Sequence, residues 1–388
     1  MGPIAPIPMQ TSELAIAIPA YGATQTGLEQ KVCVKPKPVK RVIQLDFTRG
    51  LAILLVLGYH AITIPTSVLA FRIFEFPFKK FGWSGVDLFF VLSGFLVGGL
   101  LIGEYKTRGS IRIGRFIKRR GFKIWPAYYF YLLFQVISHH FPLSTFLVPN
   151  LLHLQNYLGT SLSHTWTLAV EEHFYLALPV LLVFLIGRRL NETQIVFILA
   201  GLCVGTLVLR TGLVFLLGST RVWEYTHTRI DSLMFGVLLS YFYQFRRNAL
   251  NRVMNQKILL GSVCILGLLF LSLVPDTSVL MHTIGYTVNY LSYGSLMLLI
   301  LNSTGGWATS LAYRFIAWIG LYSYSIYLWH TSVRSPLVWL TAGMPNTLRW
   351  PVLLAAQIAC GVGLGVLMAK VIEWPFLRLR EKLIPSVS

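Results

Sequence analysis

Ten apolar runs of about 20 residues, with basic residues clustered in several of the gaps between them, constrain this chain more than any other feature. A helix needs about that many mostly apolar residues to cross the hydrocarbon core of a bilayer. The sequence therefore predicts ten membrane-spanning helices, at 45–64, 83–103, 122–138, 165–187, 194–218, 229–245, 257–275, 283–303, 314–333 and 350–372.

The composition agrees with a fold built in lipid. Hydrophobic residues make up 55% of the 388 residues and charged residues only 12%, about half the charged fraction of a soluble domain. The predicted fold class is all-α, a polytopic transmembrane helical bundle with a bilayer as its solvent. The stretch 146–158 is apolar but too short to span, which predicts a re-entrant or interfacial segment.

The positions of the basic residues predict the orientation of the bundle. With ten spans, the basic segments before span one, at 106–123, at 188–189, at 246–247 and at 378–382 lie on one side, whereas the loop 139–164 contains no Lys or Arg. Cytoplasmic loops of membrane proteins carry the excess of Lys and Arg. Both termini are therefore expected in the cytoplasm, with the chain a multi-pass protein of the inner or plasma membrane.

The same topology pattern explains the net charge of +19 without a nucleic-acid partner. We expect residues 1–40, which are rich in Pro, to be a disordered cytoplasmic tail. Residues 41–378 form the predicted membrane domain, and 379–388 a short cytoplasmic tail. The four cysteines show no metal-ligand spacing, so we expect no disulfide framework, no metal and no permanently bound cofactor.

Arg49 and His60 are the first ionisable side chains inside a predicted span. Such a group costs about 2.5–3.5 kcal/mol on insertion scales, so each one raises a functional hypothesis. The two residues are eleven positions apart, which places them on one helix face with a rise of about 16 Å between them. An imidazole is the commonest general base, and His60 is the candidate here; a hydrogen-bonded packing histidine is the alternative.

A general base is commonly oriented by an acid, and Asp87 is the candidate partner for His60. Asp87 lies early in span two, where a structural ion pair or a helix cap is an equally good interpretation. Glu171 opens span four beside Glu172. Because adjacent helical residues point in different directions, only one of this pair can face a given cavity.

Several other side chains are candidates for contact with a substrate, and each has a structural alternative. Aromatic residues near span ends commonly anchor a helix at the membrane interface. Sugar-like ligands are also bound by aromatic and hydroxyl groups, although for the aromatic segment 322–330 the interfacial belt is the favoured interpretation. These candidates are Trp166, Tyr175, Arg229, Asp231, Ser323 and His330.

The second basic segment, 106–123, carries eight Lys and Arg residues. Topology alone does not require so many. Arg119, Arg120 and Lys123, together with Arg49, are candidates for holding the phosphates of a cytoplasmic ligand by bidentate or point-charge contacts.

Six motifs, taken in order, resemble the acyltransferase-3 family of integral membrane acyltransferases over about residues 41–377. Lys123 stands where the family has Arg, Thr167 where it has Ser, and His173 where it has Gln. The motifs are Arg49 with His60, GVDLFFVLSGF at 85–95, RRGFKIWP at 119–126, WTLAVEEHFY at 166–175, SYSIYLWH at 323–330 and EWPF at 373–376.

This resemblance implies an acyl-CoA donor, most simply acetyl-CoA, and a hydroxyl acceptor, commonly on a carbohydrate. His60, aligned by Asp87 or Glu171, would then serve O-acyl transfer, either directly or through an acyl-His60 intermediate. A multi-span transporter for a glycan or metabolite is the alternative, although we find no internal repeat of the kind common in transporters. The acceptor, the acyl group and the oligomeric state are not determined by the sequence.

Overall fold

The computed structural model describes residues 42–65, 67–139, 143–218, 221–303 and 306–385. The predicted tail at 1–40 lies outside these ranges. Within them the chain is helical and contains no strand, which confirms the all-α class. The helices are α1 Ile43–His60, α2 Leu69–Phe81, α3 Gly85–Arg108, α4 Ile113–His139, α5 Leu143–Leu151, α6 Gln155–Leu158, α7 Trp166–Gly187, α8 Glu192–Leu217, α9 Thr226–Phe245, α10 Arg247–Asn255, α11 Lys257–Leu273, α12 Tyr286–Leu301, α13 Leu311–Leu321, α14 Ser323–Trp329, α15 Arg334–Leu340, α16 Asn346–Met368 and α17 Trp374–Leu383.

Within the described ranges, five helical stretches are long and apolar enough to cross a membrane, or six if a pair bent by 70° is counted as one. The remaining predicted spans are helical as well. However, α1, α4 and α9 carry charged side chains, and the ninth span is broken between α13 and α14. The total of ten crossings, and the side on which the termini lie, stay predictions from the sequence. The qualifying stretches are Leu69–Arg108, Ser163–Gly187, Glu192–Leu216, Met281–Leu301, Asn346–Leu383 and the bent pair α10 with α11.

Local sequence signals set several helix ends. Asn191 and Gln194 form a capping box that starts α8, with the Asn191 side chain accepting from the Gln194 backbone N–H. α3 ends at Gly109, whose φ of 69° is the left-handed conformation that favours glycine at a helix end. The segment predicted as re-entrant forms the two short helices α5 and α6.

α3 and α9 pack against each other more closely than most helix pairs in the described bundle. A Cβ atom placed on Gly94 would lie 1.9 Å from the Leu233 carbonyl oxygen, and one on Gly236 would lie 2.1 Å from the Val91 carbonyl oxygen. Small residues allow such close backbone approach in membrane bundles, where dispersion contacts replace the hydrophobic effect as the attraction between helices.

Replacing Gly94 with Ala is therefore expected to force α3 and α9 apart, with a loss of about 1–3 kcal/mol or more from overpacking. The thermal unfolding midpoint of the detergent-purified protein measures this loss. Gly201→Ala on α8 is the matched control, because among the described residues no atom beyond its own stretch of helix lies within 4 Å of the added methyl group. Equal midpoints for the two variants would refute the close approach.

The last described helix, α17, packs against the basic segment. α17 continues through the boundary predicted at residue 378 and reaches Leu383. Its Glu381 carboxylate lies 2.7 Å from the Arg119 guanidinium of α4. The predicted tail at 379–388 thus begins as a helix against the basic segment.

Candidate functional site

Two neighbouring groups of side chains form the candidate site, and the first lines a cavity of about 120 Å³. Its walls come from α1, α3, α4, α7, the junction of α13 with α14, and the segment Ala369–Glu373. We call it the charged cavity. Its charged and hydroxyl-bearing lining residues are Arg49, Arg120, Lys123, Glu171, Glu373, Ser93, Thr167, Tyr175, Ser323, Tyr324 and Tyr327.

Glu171 enters this cavity from the first turns of α7. One helical turn later, the Tyr175 hydroxyl donates to Glu171 Oε2 at 2.9 Å, and Ser93 Oγ lies 2.8 Å from the same hydroxyl. Tyr175 is only 6% exposed, so it lies within the bundle and is not an interfacial anchor. Glu172 points elsewhere, accepting from Trp125 Nε1 at 3.2 Å, as the helical geometry of adjacent residues requires.

The basic side chains of the cavity face this acidic group. The Arg120 guanidinium lies 5.3 Å from the centre of the Tyr175 ring. Arg49 and Lys123 also line the cavity, and Arg49 lies 3.7 Å from Asp46. On the other wall, Glu373 accepts from Ser325 Oγ at 2.8 Å. Three cationic side chains against two carboxylates suit a polar or anionic ligand.

Arg119 is not part of the cavity, although it is the neighbour of Arg120 in the sequence. It is 8% exposed, and it contacts the Glu381 carboxylate and the Ile384 carbonyl of the C-terminal segment. The structure therefore places Arg119 outside the charged cavity, and its binding of a phosphorylated ligand stays a prediction. Adjacent residues on a helix lie about 100° apart, so only one of the two arginines can face inward.

The second group, which we call the histidine cluster, consists of His60, His164 and His330. The centroid of the His330 ring lies 5.0 Å from that of His60 and 5.4 Å from that of His164. His60 is the last residue of α1, and His330 follows α14. The sequence motifs thus identified two members, but the contact between them comes from the packing of α1 against α14.

Backbone contacts fix the tautomers within this cluster. His60 Nδ1 lies 3.0 Å from the Val56 carbonyl oxygen, and His330 Nδ1 lies 2.6 Å from the Tyr327 carbonyl oxygen. Because a carbonyl oxygen can only accept, each Nδ1 carries the proton and each Nε2 is left as the basic nitrogen. Within the described structure, Nε2 of His330 and of His164 is buried without a hydrogen-bond partner.

Tyr327 stands between the two groups. It lines the charged cavity, and its ring centroid lies 5.7 Å from that of His330. Its hydroxyl accepts from Thr167 Oγ1 at 2.7 Å and donates to the His164 carbonyl oxygen at 2.5 Å. The cavity and the histidine cluster are therefore separated by one side chain.

Asp87 does not orient His60. Its carboxylate accepts from Arg229 at 2.7 Å, from Ser232 at 3.3 Å and from Asn289 at 3.2 Å. The prediction of Asp87 as the acid for the imidazole is wrong in this respect, and the alternative of a structural ion pair describes it. A carboxylate shielded from bulk solvent, as Asp87 is, requires such partners, because burying a charge without them is costly.

Arg229 and Asp231 also lie in ion pairs within the bundle. The guanidinium of Arg229 lies over the Tyr286 ring, 3.8 Å from its centre, and Asp231 pairs with Arg210 at 2.8 Å with both side chains fully buried. Trp166 packs edge-on against Trp223. None of the predicted substrate contacts at 166, 229 and 231 lines the charged cavity, whereas Tyr175 and Ser323 do.

Some residues of the site were not identified from the sequence. His164 lies in a loop before the fourth motif, and its only sequence signal is that of a polar residue directly before a span. Ser93 lies within the second motif, and Tyr327 lies within the fifth. Glu373 opens the sixth motif, directly after the predicted span ten, and it lines the cavity. In the described ranges, no group of three or more His, Cys, Asp or Glu is arranged to hold a metal ion.

Comparison with known proteins gives one family and several relatives. The profile of the Acyltransferase domain family matches residues 42–372. Peptidoglycan O-acetyltransferase OatA of Listeria monocytogenes is 28% identical over 87% of this chain and 56% of its own length. O-acetyltransferase OatA of Staphylococcus aureus is 29% identical over 64% of this chain and 45% of its own. The chain thus spans about half the length of these relatives, and no solved structure matches it.

Proposed function

The chain belongs to the acyltransferase family whose profile covers residues 42–372, and from that premise we propose that it is a membrane-embedded O-acyltransferase. It moves an acyl group, most simply acetyl, from acyl-CoA to a hydroxyl of a carbohydrate. The observation that carries this proposal is the position of His60, whose ring contacts His330, which in turn contacts Tyr327 in the wall of the charged cavity.

The donor is proposed to enter at the basic end of the bundle. Arg112 and Lys118 are exposed there, while Arg49, Arg120 and Lys123 lie deeper, in the cavity wall. The cavity, at about 120 Å³, is well below the usual volume of a drug-sized ligand pocket. It therefore suits the thioester end of acyl-CoA, with the phosphates held outside by the basic side chains.

His60 is the proposed reactive group. Its Nε2 is the basic nitrogen, because Nδ1 is committed to the Val56 carbonyl. His60 lies about 16 Å along α1 from Arg49, so the acyl group passes Tyr327 to reach it. Glu171, held by Tyr175 and Ser93, remains in the cavity with the donor and is not an acid bonded to His60.

The acceptor is proposed to arrive from the side opposite the basic segment. In the proposed topology of ten spans with cytoplasmic termini, that side is extracytoplasmic, and the membrane is the cell membrane. The Listeria relative is named for action on peptidoglycan, a carbohydrate polymer found on that side. A glycan of this class is therefore the proposed acceptor.

The test is acyl transfer by the purified full chain in nanodiscs, supplied with labelled acetyl-CoA and peptidoglycan fragments. Labelled ester on the fragments supports the enzyme. Absence of both ester and CoA release, combined with glycan flux in proteoliposomes, would instead establish the transporter alternative.

Replacing Arg120 with Ala is expected to raise the KM for acetyl-CoA about 10- to 100-fold, because a hydrogen bond to a charged group contributes about 1.5–3 kcal/mol. Steady-state kinetics with acetyl-CoA as the varied substrate measures this change. Arg252→Ala, an exposed cation on α10 that does not line the cavity, is the control and should change the KM far less. A KM that rises as much in Arg252→Ala as in Arg120→Ala would contradict donor binding at the cavity.

A further inference from the structure

The histidine cluster contains more basic nitrogens than a single base requires. His60 has one nitrogen available for chemistry, because its Nδ1–H is donated to the Val56 carbonyl oxygen. That nitrogen can carry an acyl group or accept a proton, but it cannot do both in the same step. A route through an acyl-His60 intermediate therefore needs a second base beside it.

His330 lies where that second base is needed. Its ring centroid lies 5.0 Å from that of His60, and the two planes are inclined at 66°. The side chain is 3% exposed, and its Nε2 is buried without a partner in the described structure. Its Nδ1–H donates to the Tyr327 carbonyl oxygen at 2.6 Å, which keeps Nε2 unprotonated in the neutral ring.

An unsatisfied buried nitrogen requires an explanation, because leaving one costs stability. His164 lies next to His330: among the described residues its Nε2 is also buried without a partner, and its ring centroid lies 5.4 Å from that of His330. Two neighbouring imidazoles with vacant basic nitrogens can share a proton that arrives between them.

We propose that His330 is the base that takes the proton of the acceptor hydroxyl, while His60 carries the acyl group. This inference rests on the proposed function. In the first half-reaction, His60 Nε2 attacks the thioester carbonyl carbon; the N–C bond forms, the C–S bond breaks, and CoA leaves as the thiolate.

In the second half-reaction, the acceptor oxygen attacks the acyl carbon. The O–C bond forms, the C–N bond breaks, and its electron pair returns to His60 Nε2. The hydroxyl proton passes to His330 Nε2, with His164 beside it. Release of that proton to solvent and protonation of the CoA thiolate restore both groups, so the sum is one ester and one CoA.

The two half-reactions can be measured separately with purified full-length protein. Exchange of labelled CoA into acetyl-CoA requires only the first, whereas ester formation on peptidoglycan fragments requires both. His330→Asn is the informative variant, since an asparagine amide can still donate to the Tyr327 carbonyl but has no basic nitrogen. We expect it to retain exchange and to lose transfer by about 100-fold, whereas His60→Asn loses both.

The outcomes separate this inference from the proposed function. Wild-type protein that transfers without exchange, or a His330→Asn variant that transfers normally, overturns the second base and leaves the acyltransferase in place. Equal losses of exchange and transfer in His330→Asn make the residue structural and also overturn it. Wild-type protein with neither reaction overturns both proposals. His282→Asn, a half-buried histidine in another segment, is the control and should change neither rate.

Discussion

His60→Asn is expected to lower acyl transfer by about 10²–10⁴-fold, which is the range over which a positioned acid–base group accelerates a reaction. Asparagine is the most selective replacement, because its amide can preserve the hydrogen bond to the Val56 carbonyl oxygen. The local structure at the end of α1 is then kept, and only the basic nitrogen is removed. The rate of ester formation at saturating acetyl-CoA measures the effect.

Two further measurements make this result interpretable. The thermal unfolding midpoint of His60→Asn should equal that of the wild type, which excludes misfolding as the cause. Tyr59→Phe, at the neighbouring half-buried position, is a matched substitution outside the cluster and should retain activity. A His60→Asn protein with full transfer activity would remove the imidazole from the mechanism.

Asp87→Ala is expected to destabilise the protein by about 3–5 kcal/mol, because it leaves the Arg229 guanidinium buried without its ion-pair partner. That loss is a large share of the 5–15 kcal/mol that typically holds a native protein together. The yield of monodisperse protein after detergent extraction and the unfolding midpoint should both fall.

The double variant Asp87→Leu with Arg229→Met tests the interpretation of this pair. Replacing both partners of a buried pair by apolar side chains is often neutral or stabilising, so we expect most of the lost stability to return. Transfer activity should return with it if the pair is structural. A stable but inactive double variant would mean that Asp87 or Arg229 contacts a substrate, contrary to their positions outside the cavity.

The sequence predicted the helices of this fold well, because hydropathy reports directly on burial in lipid. It also predicted that Arg49 and His60 share one helix. Three of its candidate residues, Glu171, Arg120 and Lys123, line the charged cavity. Each of these inferences needed only the geometry of one helix or the content of one motif. The side chains that these inferences place on the inner faces of single helices include several that line the charged cavity.

The predictions that failed concerned partners on different helices. Asp87 meets Arg229 across 142 residues of sequence and Asn289 across 202. Helical periodicity states which face a side chain occupies, but it does not state which helix will cover that face. For the same reason the contact of His164 with His330 could not be predicted from the sequence, nor could the contact of Arg119 with the C-terminal helix.

The placement of Arg49 and His60 on the single rigid helix α1 has a consequence for how this protein can vary. One residue inserted between them would lengthen α1 by only about 1.5 Å but would turn His60 about 100° away from His330. Four inserted residues would nearly restore the angle but would push the imidazole about 6 Å farther along the axis. The residues between Arg49 and His60 can therefore be substituted by others, but their number cannot change without displacing His60 from His330.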